Sequence, residues 1–201
     1  TAATPPCLAC HRRAARTWRC PLPLEPIWKD HWLKEPTERV RELHAHEDEA
    51  LEAVIRDDFA PWLEFVRLTG LRMSETLLRW ENVNWFSKTI VTTGKRGQKV
   101  TTPITPEVAA ILTPLQEHHP EAVFTYVCRR NKRGRTKEET RIKGQRYPIT
   151  LEGGKSQWQR FRKAANLHDF RFHDFRHDTA TRLMRETGNI KLVQRALNHT
   201  S

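Results

Sequence analysis

Asp169-Phe-Arg-Phe-His173-Asp-Phe-Arg176-His177 stands at the head of a helical run that continues to Thr187. His173 and Arg176 are three residues apart and so share one helical face. They also fall in the first turn, where free backbone N–H groups and the helix dipole favour an anion. Working outward, residues 155–166 read as a helix before this stretch. After it, residues 189–196 form a short helix closed by Leu197-Asn-His199.

A second stretch, Leu68-Thr-Gly-Leu-Arg72-Met-Ser-Glu75, lies upstream. It follows a helix that Pro61 opens, that carries Leu63, Val66 and Leu68, and that Gly70 ends. Leu51, Val54 and Ile55 predict an earlier helix within residues 47–58. Ser74 is placed to cap a short helix over residues 75–80. Residues 89–93 and 100–104 are rich in β-branched residues and predict a strand pair. Gly94 and Gly97 flank its turn, with Lys95 at the tip. Thr105 and Pro106 start another helix through Val108, Ile111, Leu112 and Leu115. Residues 122–127 suggest a short strand, and residues 128–146 form a basic loop with nine Lys/Arg against Glu138 and Glu139. The expected fold is mainly α with a small antiparallel β-sheet, an α+β domain over residues 37–201. Residues 1–36 read as the end of another domain plus a linker, with residues 12–19 the tail of a basic helix. No internal repeat is visible.

The 201 residues and 37% hydrophobic content suit one well-cored domain. Lys and Arg number 35 against 24 acids, a net charge of +11, and the pI is near 10.0. Such a balance points to a polyanionic partner, nucleic acid before an anionic membrane. No apolar run reaches the roughly 18 residues of a membrane span, in keeping with a mean hydropathy of −0.73. The start lacks an apolar leader and an initiator methionine, and the chain stops abruptly after His199-Thr200-Ser201, which suggests a fragment or processed chain. Among the four cysteines, Cys7-Leu-Ala-Cys10-His11 spells the haem c attachment pattern, and Cys7, Cys10, His11 and Cys20 could be imagined around zinc. The spacing is not that of a standard finger, and reduced bystander thiols are the preferred reading, with no metal and no cofactor expected. Trp62, Trp80, Trp85 and Trp158 lie in apolar settings and are expected in the core.

Two arginines offer planar forks that match a phosphate bidentately. Lys95 can act as a point charge or proton donor. No paired acids of metal-binding spacing lie near these residues, which fits phosphoryl transfer driven by cationic side chains rather than by Mg²⁺.

The ordered set Thr-Gly-Leu-Arg72-x-Ser-Glu75, Gly-Lys95, His173-x-x-Arg176-His177 and Leu-Asn-His199 resembles the tyrosine recombinases and phage integrases. The resemblance covers residues 35–201. It implies that Arg72 and Arg176 grip the scissile phosphate, Lys95 protonates the departing 5′-oxygen, His173 exchanges a proton with the nucleophile, and His199 hydrogen-bonds a phosphate oxygen. Glu75 supports Arg72, and His177 is structural. The implied partner is double-stranded DNA, and the cationic Arg129, Arg130, Lys132, Arg133 and Arg135 of the basic loop are expected to contact its phosphates. The resemblance further implies a homo-tetramer on DNA in the full-length protein, and a cytoplasmic, nucleoid-associated location.

The family's nucleophile is a tyrosine on a helix after the last histidine motif, and it forms a 3′-phosphotyrosyl link. The chain has two tyrosines, both upstream: Tyr126, read as core, and Tyr147, read as a loop residue. The nucleophile is therefore expected beyond residue 201, and residues 1–36 as a remnant of the family's core-binding domain. Two other readings stay open: a non-catalytic DNA-binding protein that keeps the fold, and a type IB topoisomerase.

Overall fold

The computed structural model describes residues 6–20, 27, 41–94, 97–134, 136 and 140–198, except the side chains of residues 6–9 and 12. Lys95, Arg135 and His199 lie outside the described residues, as do most of the linker and the Cys7 side chain. The chain divides into two compact units, Thr1–Arg39 and Val40–Ser201.

In the first unit, helix α1 (Pro6–Arg16) ends on Arg13 and Arg16, favourable charges at a helix C-terminus. The helix begins well before the predicted basic tail and takes in Cys7-Leu-Ala-Cys10-His11. Cys10 and Cys20 are free and exposed.

The second unit begins with α2 (Ala45–Val54) and α3 (Ala60–Thr69). Helix α3 carries Pro61 in its first turn and ends on Gly70 in the left-handed region, at φ 60°, a conformation that glycine adopts without a Cβ penalty. The predicted helix over residues 75–80 does not form. Its residues make turns that run into the 3₁₀ segment Trp80–Asn82. The side chains a helix would leave outside are committed elsewhere. Glu75 bonds Arg72, and the Thr76 hydroxyl donates to the Met73 carbonyl and accepts from Trp62 Nε1 at 3.0 Å.

Strands β1 (Val83–Asn84), β2 (Thr89–Thr93) and β3 (Lys99–Pro103) form an antiparallel sheet in the order β1-β2-β3, with Thr93 opposite Lys99 at the hairpin end. Helix α4 (Pro106–Leu112) follows, capped by the Thr105 side chain on Val108 N. A second sheet pairs β4 (Thr125–Val127) with β5 (Arg146–Pro148). Tyr147 therefore lies in a strand rather than a loop. Part of the predicted basic loop is itself paired, through a bridge between Lys132 and Arg141.

Helices α5 (Leu151–Ala164), α6 (Asp174–Thr187) and α7 (Ile190–Ala196) complete the unit. Helix α5 starts four residues earlier than the sequence suggested. Thr150 caps it, and Gly154 is needed where the helix passes Trp62, because a Cβ there would sit 3.1 Å from the indole. Helix α3 runs through the centre and packs on α4 and α6. It buries Trp62, Leu63, Phe65 and Val66 in the core, where the Phe65 ring lies 5.2 Å from that of Phe124. Trp62 and Trp158 are core residues as expected, and Trp80 is partly buried. Trp85 is not in the core: it is exposed beside Phe86 in the β1–β2 turn, where the chain reverses. The described helices include none long and apolar enough to cross a membrane.

Candidate active site

The Asp169–His177 stretch works by alternation. Phe170 and Phe175 are buried, and with Phe172 they surround Trp158 in edge-on and tilted ring contacts of 5.1–6.2 Å. Such contacts fix the backbone firmly. Asp174 is buried and accepts from Arg171 N at 2.7 Å, which closes the entry to α6. With the aromatic rings and Asp174 turned inward, His173 is left at the surface at the helix start.

Arg176 is buried at 4% exposure. Its Nη1 donates to the Gly70 carbonyl at 3.0 Å, and its Nη2 donates to the Leu197 carbonyl. One side chain thus ties the end of α3, the start of α6 and the end of α7 together. Two backbone carbonyls thus orient the guanidinium. The turn after α3 must come close for this. A Cβ on Gly70 would lie 2.9 Å from Leu197 Cδ2 and 3.1 Å from Thr179 Cβ. Thr179 in turn donates to the Arg67 carbonyl at 3.1 Å and locks α6 onto α3.

Arg72 stands on that same turn. Its backbone N–H and its Nη1 both donate to Glu75, at 2.9 and 2.8 Å. The Glu75 side chain is 1% exposed and that of Arg72 is 37% exposed. The carboxylate is therefore a buried anchor, and the guanidinium reaches from it toward solvent. Two arginines are gathered here. Burial first, and then the Arg72 charge, lower the pKa of Arg176, while Glu75 acts in the opposite sense. Like charges held this close stabilise an anion placed between them.

His173 feels the same field. Partial desolvation lowers its pKa, and His177, Arg176 and Arg72 lower it further, against Asp174. The His177 ring meets it edge-on at 5.4 Å. The His173 imidazole is thereby biased toward its neutral form, the form that can take up a proton.

The hairpin that carries position 95 closes on this site through glycine. A Cβ on Gly94 would lie 3.0 Å from Glu75 Oε1 and 2.8 Å from Val100 Cγ2. On the other side, Asn198, at φ 50°, makes two hydrogen bonds to Thr101 of β3. Sequence reasoning missed Gly94, Thr179 and Asn198 as parts of this site, and it marks Gly70 only as a helix end. Gly70, Gly94 and Asn198 stand inside the quoted motifs, and Thr179 lies three residues after Arg176.

Arg129, Arg130, Lys132 and Arg133 are exposed. The loop is held at its base by Cys128, whose thiol donates to the Arg130 carbonyl at 2.9 Å. Arg141, which the sequence does not single out, stacks its guanidinium 4.5 Å from the Tyr147 ring centre. The Tyr147 hydroxyl donates to Gln145 and accepts from Ile142 N, both at 2.9 Å. Tyr126 stacks on Phe59.

The integrase of Salmonella phage P22 is 27% identical over 187 residues, which cover 91% of this chain and 46% of the relative. The chain thus spans about half the length of that curated relative. Among solved structures, the chain is similar to a lambda integrase dimer bound to a COC' core site, with TM-score 0.67 and 17% identity over 96% of this chain and 68% of that one. A lambda integrase tetramer bound to a Holliday junction gives TM-score 0.63 and 18% identity over 96% and 56%. XerA recombinase gives 0.57 and 19% over 84% and 58%. These likenesses show a shared fold. The phage integrase family model matches residues 36–201, most of the chain, and on that extent the chain belongs to the phage integrase family.

Proposed function

We propose that this chain is the catalytic domain of a site-specific DNA recombinase that cuts and rejoins strands through a 3′-phosphotyrosyl intermediate. The convergence of Arg72 and Arg176 on one turn, each held by its own buried anchor, carries the reading. Their two forks suit the non-bridging oxygens of a phosphodiester, and their charge stabilises the pentacoordinate transition state. A tyrosine oxygen attacks phosphorus and passes its proton to His173. The bond to the 5′-oxygen breaks, and Lys95 supplies the proton that this oxygen takes up. His199 hydrogen-bonds a phosphate oxygen. Glu75 and His177 support Arg72 and His173.

The nucleophile is placed on the segment that follows His199. Both tyrosines of this chain are committed to the β4–β5 sheet, Tyr147 through its hydroxyl and Tyr126 through its ring. Double-stranded DNA is the partner, with residues 129–135 as phosphate contacts. A homo-tetramer on DNA is the working assembly, located with the nucleoid in the cytoplasm. Residues 1–36 are read as the remnant of the family's core-binding domain plus a linker.

Single-turnover cleavage by the full-length protein tests this. Replacing Arg72 or Arg176 with Ala should slow cleavage by roughly 10² or more, as loss of a preorganised oxyanion donor does, while DNA affinity changes little. Near wild-type cleavage by either variant would refute the assignment. Cleavage confined to one inverted-repeat site separates a recombinase from a topoisomerase, which would relax plain supercoiled plasmid.

A further inference from the structure

The three-stranded sheet has β3 at its edge, so β3 presents unpaired peptide groups on the side away from β2. At Thr101 they are not left to solvent. The Thr101 N–H donates to Asn198 Oδ1 at 3.4 Å, and Asn198 Nδ2 donates back to the Thr101 carbonyl at 3.3 Å. A carboxamide has the donor and acceptor of a peptide group, so one side chain acts as a single residue of a fourth strand. Asn198 can point this way because its backbone is left-handed, at φ 50°, a region that Asn tolerates better than most residues. Thr101 sits two residues along from Lys99, which pairs with Thr93 at the hairpin end. Asn198 immediately follows Leu197, whose carbonyl holds Arg176.

We propose that Asn198 is a positioning residue that clasps β3 to the end of α7 and so fixes the hairpin whose connecting turn carries Lys95 in the sequence. The hairpin is thus tied by Asn198 at Thr101, and at Gly94 it passes so close to Glu75 that a Cβ would lie 3.0 Å from the carboxylate. Lysine is long and flexible, and it can deliver a proton to one chosen oxygen only if its backbone is fixed. The clasp does that fixing. The proposal rests on the recombinase reading, and in particular on Lys95 as the proton donor to the departing oxygen.

The test uses the full-length protein and two DNA substrates, one with the normal 5′-oxygen and one with a bridging 5′-sulfur. A thiolate leaves without a proton donor, so the sulfur substrate bypasses the step that the hairpin serves. Asn198→Gly keeps the left-handed backbone and deletes the clasp. It should bind DNA as tightly as wild type, cleave the normal substrate about tenfold more slowly, the scale of a modest hydrogen bond or two, and cleave the sulfur substrate at the wild-type rate. Hydrogen exchange at the Thr101 amide should quicken in the same variant. Asn198→Asp keeps the acceptor for that amide and should retain its protection. Equal slowing on both substrates, or no slowing on either, would overturn the proposal. Lys95→Ala is the control for the underlying reading. If the sulfur substrate rescues it and not Asn198→Gly, the clasp alone is wrong. If the sulfur substrate does not rescue Lys95→Ala, the assignment of the proton donor fails first.

Discussion

Replacing Gly70 with Ala perturbs fold and site through one methyl group, and its cost can be worked from the structure. Gly70 has φ +60°, where an L-residue carries a penalty of about 1 kcal/mol. The added Cβ would also lie 2.9 Å from Leu197 Cδ2 and 3.1 Å from Thr179 Cβ. Neither neighbour can yield freely. Leu197 is 1% exposed, and the Thr179 hydroxyl bonds the carbonyls of both Arg67 and Phe175. Overpacking of this kind costs about 1–3 kcal/mol, so the total is about 2–4 kcal/mol. For a unit of this size each kcal/mol lowers the melting temperature by roughly 2–4 °C, giving a fall of about 5–15 °C by calorimetry. Gly188→Ala is the internal control. Gly188 has φ +62°, and nothing lies within 4 Å of where its added methyl would sit, so it should lose only the conformational part. The Gly70 carbonyl also holds Arg176, so folded Gly70→Ala protein should cleave DNA more slowly, by about tenfold or more. Equal melting temperatures for the two variants would refute the packing argument.

The pH dependence of stability follows from His173. Its folded pKa lies below the ordinary value, because of burial and then of the neighbouring cations, so the unfolded chain takes up the proton first. The stability it contributes is present above about pH 6.5 and is lost as pH falls toward the lowered folded pKa. Urea unfolding between pH 7.5 and 5 should show that loss shrinking in His173→Gln. It should not vanish, because His118 is shifted in the same sense by its own burial. In the basic loop, neutralising Arg130, Lys132, Arg133 and Arg135 should make the slope of log K against log salt shallower by about one unit per lost phosphate contact. An unchanged slope would mean that the loop faces away from DNA.

What the sequence made legible was the local chemistry. Pro61, Thr105 and Gly70 mark helix ends by mechanisms that need no tertiary context, and the β-branched runs on either side of Gly94 and Gly97 announce the hairpin. The spacing of His173 and Arg176 puts them at a helix start, where the structure has them. The failures have tertiary causes. A helix after Ser74 is reasonable on capping grounds, but Glu75 and Thr76 spend their side chains on Arg72 and Trp62. The two glycines at the head of α5 hide a helix start that Trp62 requires. Trp85 looks apolar by its neighbours but falls in the β1–β2 turn, where it and Phe86 are exposed. In the site, the residue types were legible and their anchors were not. Nothing in the sequence says that Arg176 rests on the carbonyls of Gly70 and Leu197, or that Asn198 reaches Thr101, since backbone acceptors distant in the chain leave no pattern.

If these arginines serve a covalent phosphotyrosyl exchange, a nicked suicide substrate will trap it, because the cleaved strand cannot be rejoined and the adduct accumulates. The full-length protein should shift the labelled strand on a denaturing gel, and mass spectrometry should place the DNA 3′-phosphate on a tyrosine that follows His199. The 201-residue chain alone should bind the DNA and leave it unshifted. A covalent adduct mapped to Tyr126 or Tyr147, or full-length protein that cleaves without forming any adduct, would contradict the account.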